Sequence, residues 1–379
     1  MQPWKIQLFK LNYDHREVDA VREAVESGWL TMGERITEFE TEFSNYLGGG
    51  VASLAVANGT AALHMALLAL GVGPGDEVVI PALTFVADAN SVHLTGAKAK
   101  LADCESFDNW NMSVETIERC ITPKTKVVMI VHYAGYPCNM PAIVDLCQKR
   151  GLKLIEDVAH APGAMVGGRS CGTWGDIGCF SFFSNKNLSI GEGGMVTSCQ
   201  PDLIQRMKYL RSHGMTTLTL DRHKGRAITY DVAQPGLNYR MDEMRAAIGL
   251  VQLKKLPVGN SRRRELAEIY RHGLVGSGVM MPFDSLPYDF ISACHILPVL
   301  LPKLCNRDKV IEGLKVRGIQ SSIHYPPAWN FTAYLGQWPP ESVPCAAEIC
   351  QRELTLPLYP TMADVEVMFV ITSLLECIQ

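Results

Sequence analysis

The sequence predicts an α/β fold: a large unit built on a mainly parallel β-sheet with helices on both faces, followed by a smaller α+β unit. Three observations carry this reading. Short apolar runs of strand length recur through residues 52–198, helix-like segments separate most of them, and the texture changes after a long helical region at about 241–275. Strand-helix alternation on this scale is the pattern of a parallel sheet buried on both faces. Ligands of such sheets bind beyond the carboxyl ends of the strands.

In chain order, the expected strands are "ASLAVA" (52–57), "DEVVIPA" (76–82), "AKAKLAD" (97–103), "TKVVMIVH" (125–132), "LKLIED" (152–157), "IGCFSFF" (177–183) and "GMVTS" (194–198). Each is apolar or β-branched and of strand length. "GTAALHMALLALG" (59–71) and "NMPAIVDLCQKRG" (139–151) are helical, the second closed by a glycine just past a basic last turn. The C-terminal part offers "ILPVLLP", a helix in "NRDKVIEGLKVRG", a strand-like "IQSSIHY" and a final amphipathic helix in "TMADVEVMFVITSLLECIQ", opened by a T-x-x-D pattern. We therefore expect a large unit over 1–255, including the N-terminal segment, and a small unit over 256–379. The basic run Arg262-Arg263-Arg264 is expected on the solvated face of a helix.

Composition narrows the function. The 379 residues are 47% hydrophobic and 20% charged, ordinary for a globular protein with a large core. A net charge of −4 and the lack of any long lysine or arginine run leave no electrostatic footprint for nucleic acid or an anionic membrane. Neither an eighteen-residue apolar span nor a signal-peptide core is found, the opening "MQPWKIQLFK" being too polar. Twelve scattered cysteines without a C-x-x-C pair suit a reduced, cytoplasmic protein, and ten histidines without H-x-x-x-H spacing predict no structural zinc.

The chemistry concentrates at strand ends. Lys186 in "SFFSNKNLSIGEGG" stands where an aromatic strand breaks into a glycine-rich turn. It is either a charge marking a strand end or an amine presented to a carbonyl compound. Asp157 ends "LKLIED", where an acidic pair is either turn chemistry or a carboxylate aimed at a ligand. In "VANGTAALHMAL" the amides of Gly59, Thr60 and Ala61 open an apolar helix after a strand, as an anion cradle or a simple Asn58 or Thr60 cap. Phe85 in "IPALTFVADAN" falls at a similar rim, either packed in the core or free to lie against a planar ring. Together these match pyridoxal 5′-phosphate, which needs a lysine, a carboxylate for its pyridine nitrogen, a stacking ring and a phosphate site.

The segments "NGTAAL", "PALTFVAD", "VHYAGYPCNM", "EDVAHA", "SFFSNKNLSIGEGGM", "LRSHGM" and "GLNYRMDEMRAAIGL" occur in the order found in the DegT/DnrJ/EryC1/StrS aminotransferases, and the chain resembles that family over nearly its whole length. The resemblance implies the fold-type-I architecture of pyridoxal-phosphate enzymes and a homodimer with active sites shared between subunits. It implies that Lys186 carries the cofactor as a Schiff base, that Asp157 pairs with the pyridine nitrogen and that His160 lies near the 3′-oxygen. Phe85 would stack on the ring. The Thr60 and Ala61 amides with the Ser181 hydroxyl would hold the phosphate, which Asn238 would reach from the neighbouring subunit. In the segment "HYPPAW", His324, Tyr325 and Trp329 would lie near substrate, Trp329 replacing a histidine found in many members.

The implied activity moves an amino group from an amino acid, glutamate by resemblance, to a nucleotide-linked keto sugar, at C4 rather than C3 by the forms of "GEGGM" and "GLNYRM". A carbocyclic ketone such as an inosose, or another small keto compound, is the alternative substrate. Alternatives of other classes are a non-catalytic pyridoxal-phosphate-binding regulator, which the presence of both Lys186 and Asp157 disfavours, and a nicotinamide oxidoreductase, for which no G-x-G-x-x-G follows a strand.

Overall fold

The computed structural model describes residues 4–217 and 228–378; the first three residues of the opening stretch and the final residue of the expected C-terminal helix segment lie outside them. Two N-terminal helices, α1 (His15–Glu26) and α2 (Glu34–Leu47), precede an alternating run: β1 (Ala52–Val56), α3 (Gly59–Ala69), β2 (Glu77–Pro81), α4 (Ala87–Leu94), β3 (Lys98–Ala102), α5 (Val114–Glu118), β4 (Thr125–Val131), α6 (Met140–Arg150) and β5 (Lys153–Asp157). Two short strands, β6 (Met165–Val166) and β7 (Arg169–Ser170), lead into β8 (Ile177–Ser181), β9 (Gly194–Ser198) and α7 (Pro201–Arg211). The long α8 (Glu243–Leu274) then hands over to β10 (Phe290–Ile291), β11 (Leu297–Leu300), α9 (Arg307–Val316), α10 (Pro344–Arg352), β12 (Glu353–Leu356) and α11 (Asp364–Ile378).

All seven expected strands join one sheet in the order β1-β9-β8-β5-β4-β2-β3. Only β9 is reversed, running antiparallel to both β1 and β8. The other pairings are parallel, so β1, β2, β5 and β8 bring their carboxyl ends to one rim. Burial on both faces explains why the inner strands read as apolar runs instead of alternating ones, whereas the edge strand β3 alternates lysine with alanine and is only partly buried. Helix α6 ends as expected, Gly151 taking a left-handed φ of 66° at its C-cap.

Helix α8 begins at Asp242, whose side chain accepts from the Arg245 amide, and continues through residue 255 and Pro257. Its first turn does a second job. The buried Glu243 carboxylate accepts from the amides of Gly33, Arg35 and Ile36, so it caps α2, which has no cap of its own. The arginine run that follows is not solvated as expected. Arg263 is buried and Nη1 donates to the carbonyls of His295 (3.0 Å) and Leu358 (2.8 Å), while Arg264 donates to Ser292 O (2.9 Å) and Arg262 to Met362 O (3.1 Å). Three consecutive arginines span nearly a full helical turn, so one of them must face the packed side. Desolvation brings the Arg263 guanidinium down to about 10.

The strand-like 319–325 is also corrected. It makes only isolated bridges, Ile319 to Ile6 and Ser322 to Thr355. The N-terminal arm runs beside it, and Gln320 spends its side chain on the Leu8 amide, leaving no regular ladder. The C-terminal unit keeps a two-stranded antiparallel sheet, β11 with β12. Apolar side chains of both sheets belong to one contiguous core, from Val78 and Ile80 to Leu297 and Leu356. Among the described residues, no helix is long and apolar enough to cross a membrane.

Candidate active site

A cavity of about 640 Å³ opens at the rim where β1, β2, β5 and β8 end. Successive strand residues face opposite sides, and this divides the acidic pair at the end of β5. Glu156 is fully buried on the structural side, where it accepts from the amides of Gly172, Trp174 and Gly175 and from His132 Nε2. It holds the loop that leads into β8. Asp157 faces the cavity, and its Oδ1 accepts from the Ala159 amide at 2.8 Å.

Lys186 lies in the turn after β8, its amide bonded to Phe183 O, and its amine enters the same cavity. Burial lowers the amine to about 8, and the negative charge of Asp157 opposes that shift. Lys186 Nζ lies 3.5 Å from His295 Nε2, whose other ring nitrogen pairs with Asn187 Oδ1 at 2.9 Å. Because the amide oxygen can only accept, Nδ1 carries the ring proton and Nε2 presents a lone pair to the lysine. His295 has no counterpart among the expected site residues, since a histidine inside "SACHILPVLLP" reads as core.

The anion cradle takes a defined form. Asn58 Oδ1 accepts from the Ala61 amide at 2.8 Å, so the amide expected to hold phosphate at Ala61 is spent on the helix cap, and the free donors of the cradle are those of Gly59 and Thr60. The Gly59 and Thr60 amides lie at the two first helical positions, where no intrahelical acceptor exists. A Cβ on Gly59 would lie 2.8 Å from the Ser181 Cβ and 3.1 Å from its Oγ. Only glycine lets the start of α3 approach Ser181 this closely.

Two neutral aromatic groups close one wall. His160 Nδ1 accepts from the Ala134 amide (3.2 Å), so Nε2 carries the proton facing the Tyr325 hydroxyl at 2.7 Å. Burial and the nearby Lys186 charge hold His160 well below its ordinary value. Phe85 is 53% exposed on the cavity wall, its ring 5.5 Å from that of Tyr325. His324 also lines the cavity and pairs with Thr355 through Nδ1 at 2.9 Å; burial pulls it down to about 4.

Two expected residues lie elsewhere. Trp329 does not line the cavity; its indole is packed into the core from the short turn Ala328–Asn330, which sheds its apolar surface there. Asn238 is exposed outside this cavity, its Oδ1 accepting from Arg240 Nε, and it does not cap α8, a role taken by Asp242. Its neighbour Tyr239 does reach the cavity and bonds His64 Nδ1 at 3.0 Å. Asp88, in the first turn of α4, was not anticipated: it is 1% exposed, Thr84 Oγ1 donates to its Oδ2, and burial and the nearby Asp157 charge hold its carboxyl well above the ordinary range. An aspartate one residue into a helix reads as a partner of the helix dipole, which conceals it.

A buried amine near neutrality, a buried carboxylate, an exposed ring and a glycine-cleared helix N-terminus meet in one cavity large enough for a cofactor and substrate. This donor set fits pyridoxal phosphate. The fold and site thus define a fold-type-I transferase. Residues 12–375 match the DegT/DnrJ/EryC1/StrS aminotransferase family, and the chain belongs to it. A dTDP-4-dehydro-2,3,6-trideoxy-D-glucose 4-aminotransferase of Saccharopolyspora spinosa is 38% identical over 93% of this chain and 91% of its own length. Among solved structures, the aminotransferase TlmJ of Streptoalloteichus hindustanus matches with a TM-score of 0.89 and 34% identity, over 99% of this chain and 98% of its own. Spr1654 of Streptococcus pneumoniae, described as a sugar aminotransferase and solved in a PMP form, matches with a TM-score of 0.91 and 28% identity, over 100% and 99%.

Proposed function

We propose that this aminotransferase uses pyridoxal 5′-phosphate to move an amino group from an amino acid, glutamate being the expected donor, onto C4 of a nucleotide-linked keto sugar. The carrying observation is the convergence of Lys186, Asp157 and the Gly59–Ser181 cradle on one cavity. Similarity to the Saccharopolyspora 4-aminotransferase supports the substrate class, and a bound PLP or PMP in the pneumococcal relative supports the cofactor. The cofactor supplies the electron sink; the rest belongs to side chains.

In this reading Asp157 faces the pyridine nitrogen. The Gly59 and Thr60 amides and the Ser181 hydroxyl take the phosphate, and Phe85 provides a face for the ring. Lys186, once its amine is free and neutral, would take the proton from the α-carbon of the amino donor and deliver it to C4′ of the cofactor, and would carry a proton the opposite way in the second half-reaction; an amine at about 8 needs little driving force for this near neutral pH. His160 and Tyr325 stay neutral and orient polar groups of the bound molecule. His324 is placed to meet the substrate side of the cavity. A homodimer with Asn238 serving the neighbouring site, and a reducing, cytoplasmic setting for the free cysteines, complete the proposal.

The test is to convert the protein to its amino form with glutamate, remove the donor, and offer UDP-, GDP- and dTDP-linked 4-keto sugars, 3-keto sugars and free inososes. Fastest return of the visible absorbance with a nucleotide-linked 4-keto sugar is expected. Return only with a free cyclic ketone or a small keto acid would refute the sugar-nucleotide assignment.

A further inference from the structure

Asn187 follows the reactive lysine in the chain but does not line the cavity, and no step of transamination calls on it. Its carboxamide is nevertheless fully engaged. Nδ2 donates to Ala293 O and to Asn260 Oδ1, both at 2.8 Å, while Oδ1 faces His295 Nδ1 at 2.9 Å. Asn260, buried on α8, is fixed in turn, because its Nδ2 donates to Pro162 O at 2.8 Å. A backbone carbonyl can only accept. Reversing Asn260 would turn its oxygen on Pro162 O, and reversing Asn187 would turn its oxygen on Ala293 O and Asn260 Oδ1. Two carbonyls therefore settle both amides, and the Asn187 oxygen settles the imidazole, with the proton on Nδ1 and a lone pair on Nε2.

The ring is also held in place. His295 N donates to Ala134 O at 2.8 Å, and Arg263 Nη1 donates to His295 O at 3.0 Å. Its centroid lies 4.5 Å from that of His160, whose Nδ1 accepts from the Ala134 amide. Two adjacent histidines thus carry opposite tautomers. His160 turns an N–H toward Tyr325, and His295 turns a lone pair toward Lys186 Nζ at 3.5 Å.

We propose that Asn187 is a positioning residue: locked by Ala293, Asn260 and Pro162, it keeps His295 an acceptor beside Lys186, so that the free lysine amine is anchored through one N–H and keeps its lone pair for the cavity. The contact is long for a hydrogen bond, and the flexible lysine stem can shorten it. With the other tautomer, His295 would present an N–H and occupy the lone pair that has to accept the donor's proton. An imidazolium is opposed by the two cations facing the ring, Lys186 and Arg263; the other titratable groups facing it, His160 and His324, are held neutral by burial.

The inference rests on Lys186 as the reactive amine, and its first measurement needs no turnover. Nitrogen-15 NMR of the full-length protein with labelled histidine reads the ring, and the signal lost in His295→Gln assigns it. A neutral His295 with its proton on Nδ1 is expected near neutral pH; a proton on Nε2 instead, or a charged ring, overturns the proposal. Asn187→Leu is expected to move the signal toward the Nε2–H form and to slow the single-turnover half-reaction with glutamate roughly tenfold, with little change in KM, since the residue touches no substrate. Asn187→Asp keeps the size and the acceptor but favours a charged ring, and is expected to slow the same step. A normal rate in either folded variant overturns the proposal. His295→Gln, whose amide oxygen can reach the place of Nε2, is expected to keep more of the rate than His295→Ala; equal losses also overturn it. Borohydride fixing the cofactor on another lysine, with the wild-type ring signal as expected, refutes the Lys186 assignment instead.

Discussion

Lys186 Nζ and His295 Nε2 face each other at 3.5 Å, with the imidazole held in its accepting tautomer by Asn187. His295 is well below its ordinary value through burial and the adjacent Lys186 charge, so it receives a hydrogen bond from the amine without itself becoming charged. An acceptor for an ammonium favours the protonated lysine. His295→Ala is therefore expected to lower the lysine pKa below about 8 and to slow the donor half-reaction by roughly tenfold through lost orientation of the amine. Stopped-flow absorbance across pH reads both effects. An unchanged pKa and rate would show that the contact is incidental.

The lysine pKa gives a pH prediction with a fixed sign. A primary amine attacks an aldehyde only when deprotonated, and the Lys186 amine titrates near 8, below its ordinary 10.5. Reconstitution of apoenzyme with pyridoxal phosphate is expected to speed up as pH rises and to level off above about 8. The rate constant extrapolated to saturating cofactor is the quantity to follow. A plateau reached only near pH 10 would place the amine in a solvated environment.

Gly59 tests the cradle. Its constraint is steric, since an added Cβ meets Ser181 at 2.8 Å. Gly59→Val should weaken binding of pyridoxal phosphate by at least about tenfold while leaving binding of pyridoxal, which lacks the phosphate, nearly as in the wild type. Equal losses for both compounds would indicate general damage to the cavity.

Subunit mixing tests the shared site. Lys186→Ala and Asn238→Ala proteins, each impaired alone, are expected to recover activity in hybrid dimers, because one of the two sites then inherits neither lesion. Lack of recovery after verified exchange, or a monomer in solution, counts against Asn238 serving its neighbour.

Arg263 carries a stability prediction. Its guanidinium ties α8 to two carbonyls, of His295 and Leu358, on separate segments of the C-terminal unit. Arg263→Ala leaves both acceptors buried and opens a cavity, and should cost roughly 3 kcal/mol in urea unfolding, against less than about 1 kcal/mol for the more exposed Arg262→Ala. Equal losses would place both arginines in the same role.

The uneven legibility of this chain has physical reasons. Most of the strands were readable because they are covered on both faces, so little polar alternation blurred the apolar runs; the edge strand β3, where lysine alternates with alanine, is the exception. Lys186 and Asp157 stood out because they interrupt those runs at the carboxyl end, where a charge has no packing role. Asp88 and His295 did not stand out, since a helix-start aspartate and a histidine within an aliphatic run each have an ordinary explanation; only the near-complete burial of the one and the Lys186 contact of the other remove it. Arg263 was misread for the opposite reason. Three arginines in a row look solvated until the tertiary partners of α8 are known. Segment 319–325 has strand composition, but composition cannot reveal that the N-terminal arm arrives beside it.

The reversed strand β9 has a consequence for synthesis. The first strand of the sheet, β1, borders only β9, which is the last strand of that sheet to be made. A chain emerging from the ribosome at about 5–20 residues per second therefore carries β1 unpaired until residue 198 has appeared, many seconds after residue 56. Gly194 at the start of β9 pairs with both Val56 and Ser181, so the two halves of the cradle are brought together by a residue that arrives after either of them. Shorter nascent chains should leave residues 52–56 open to protease, and cofactor capture should begin only once β9 has left the exit tunnel.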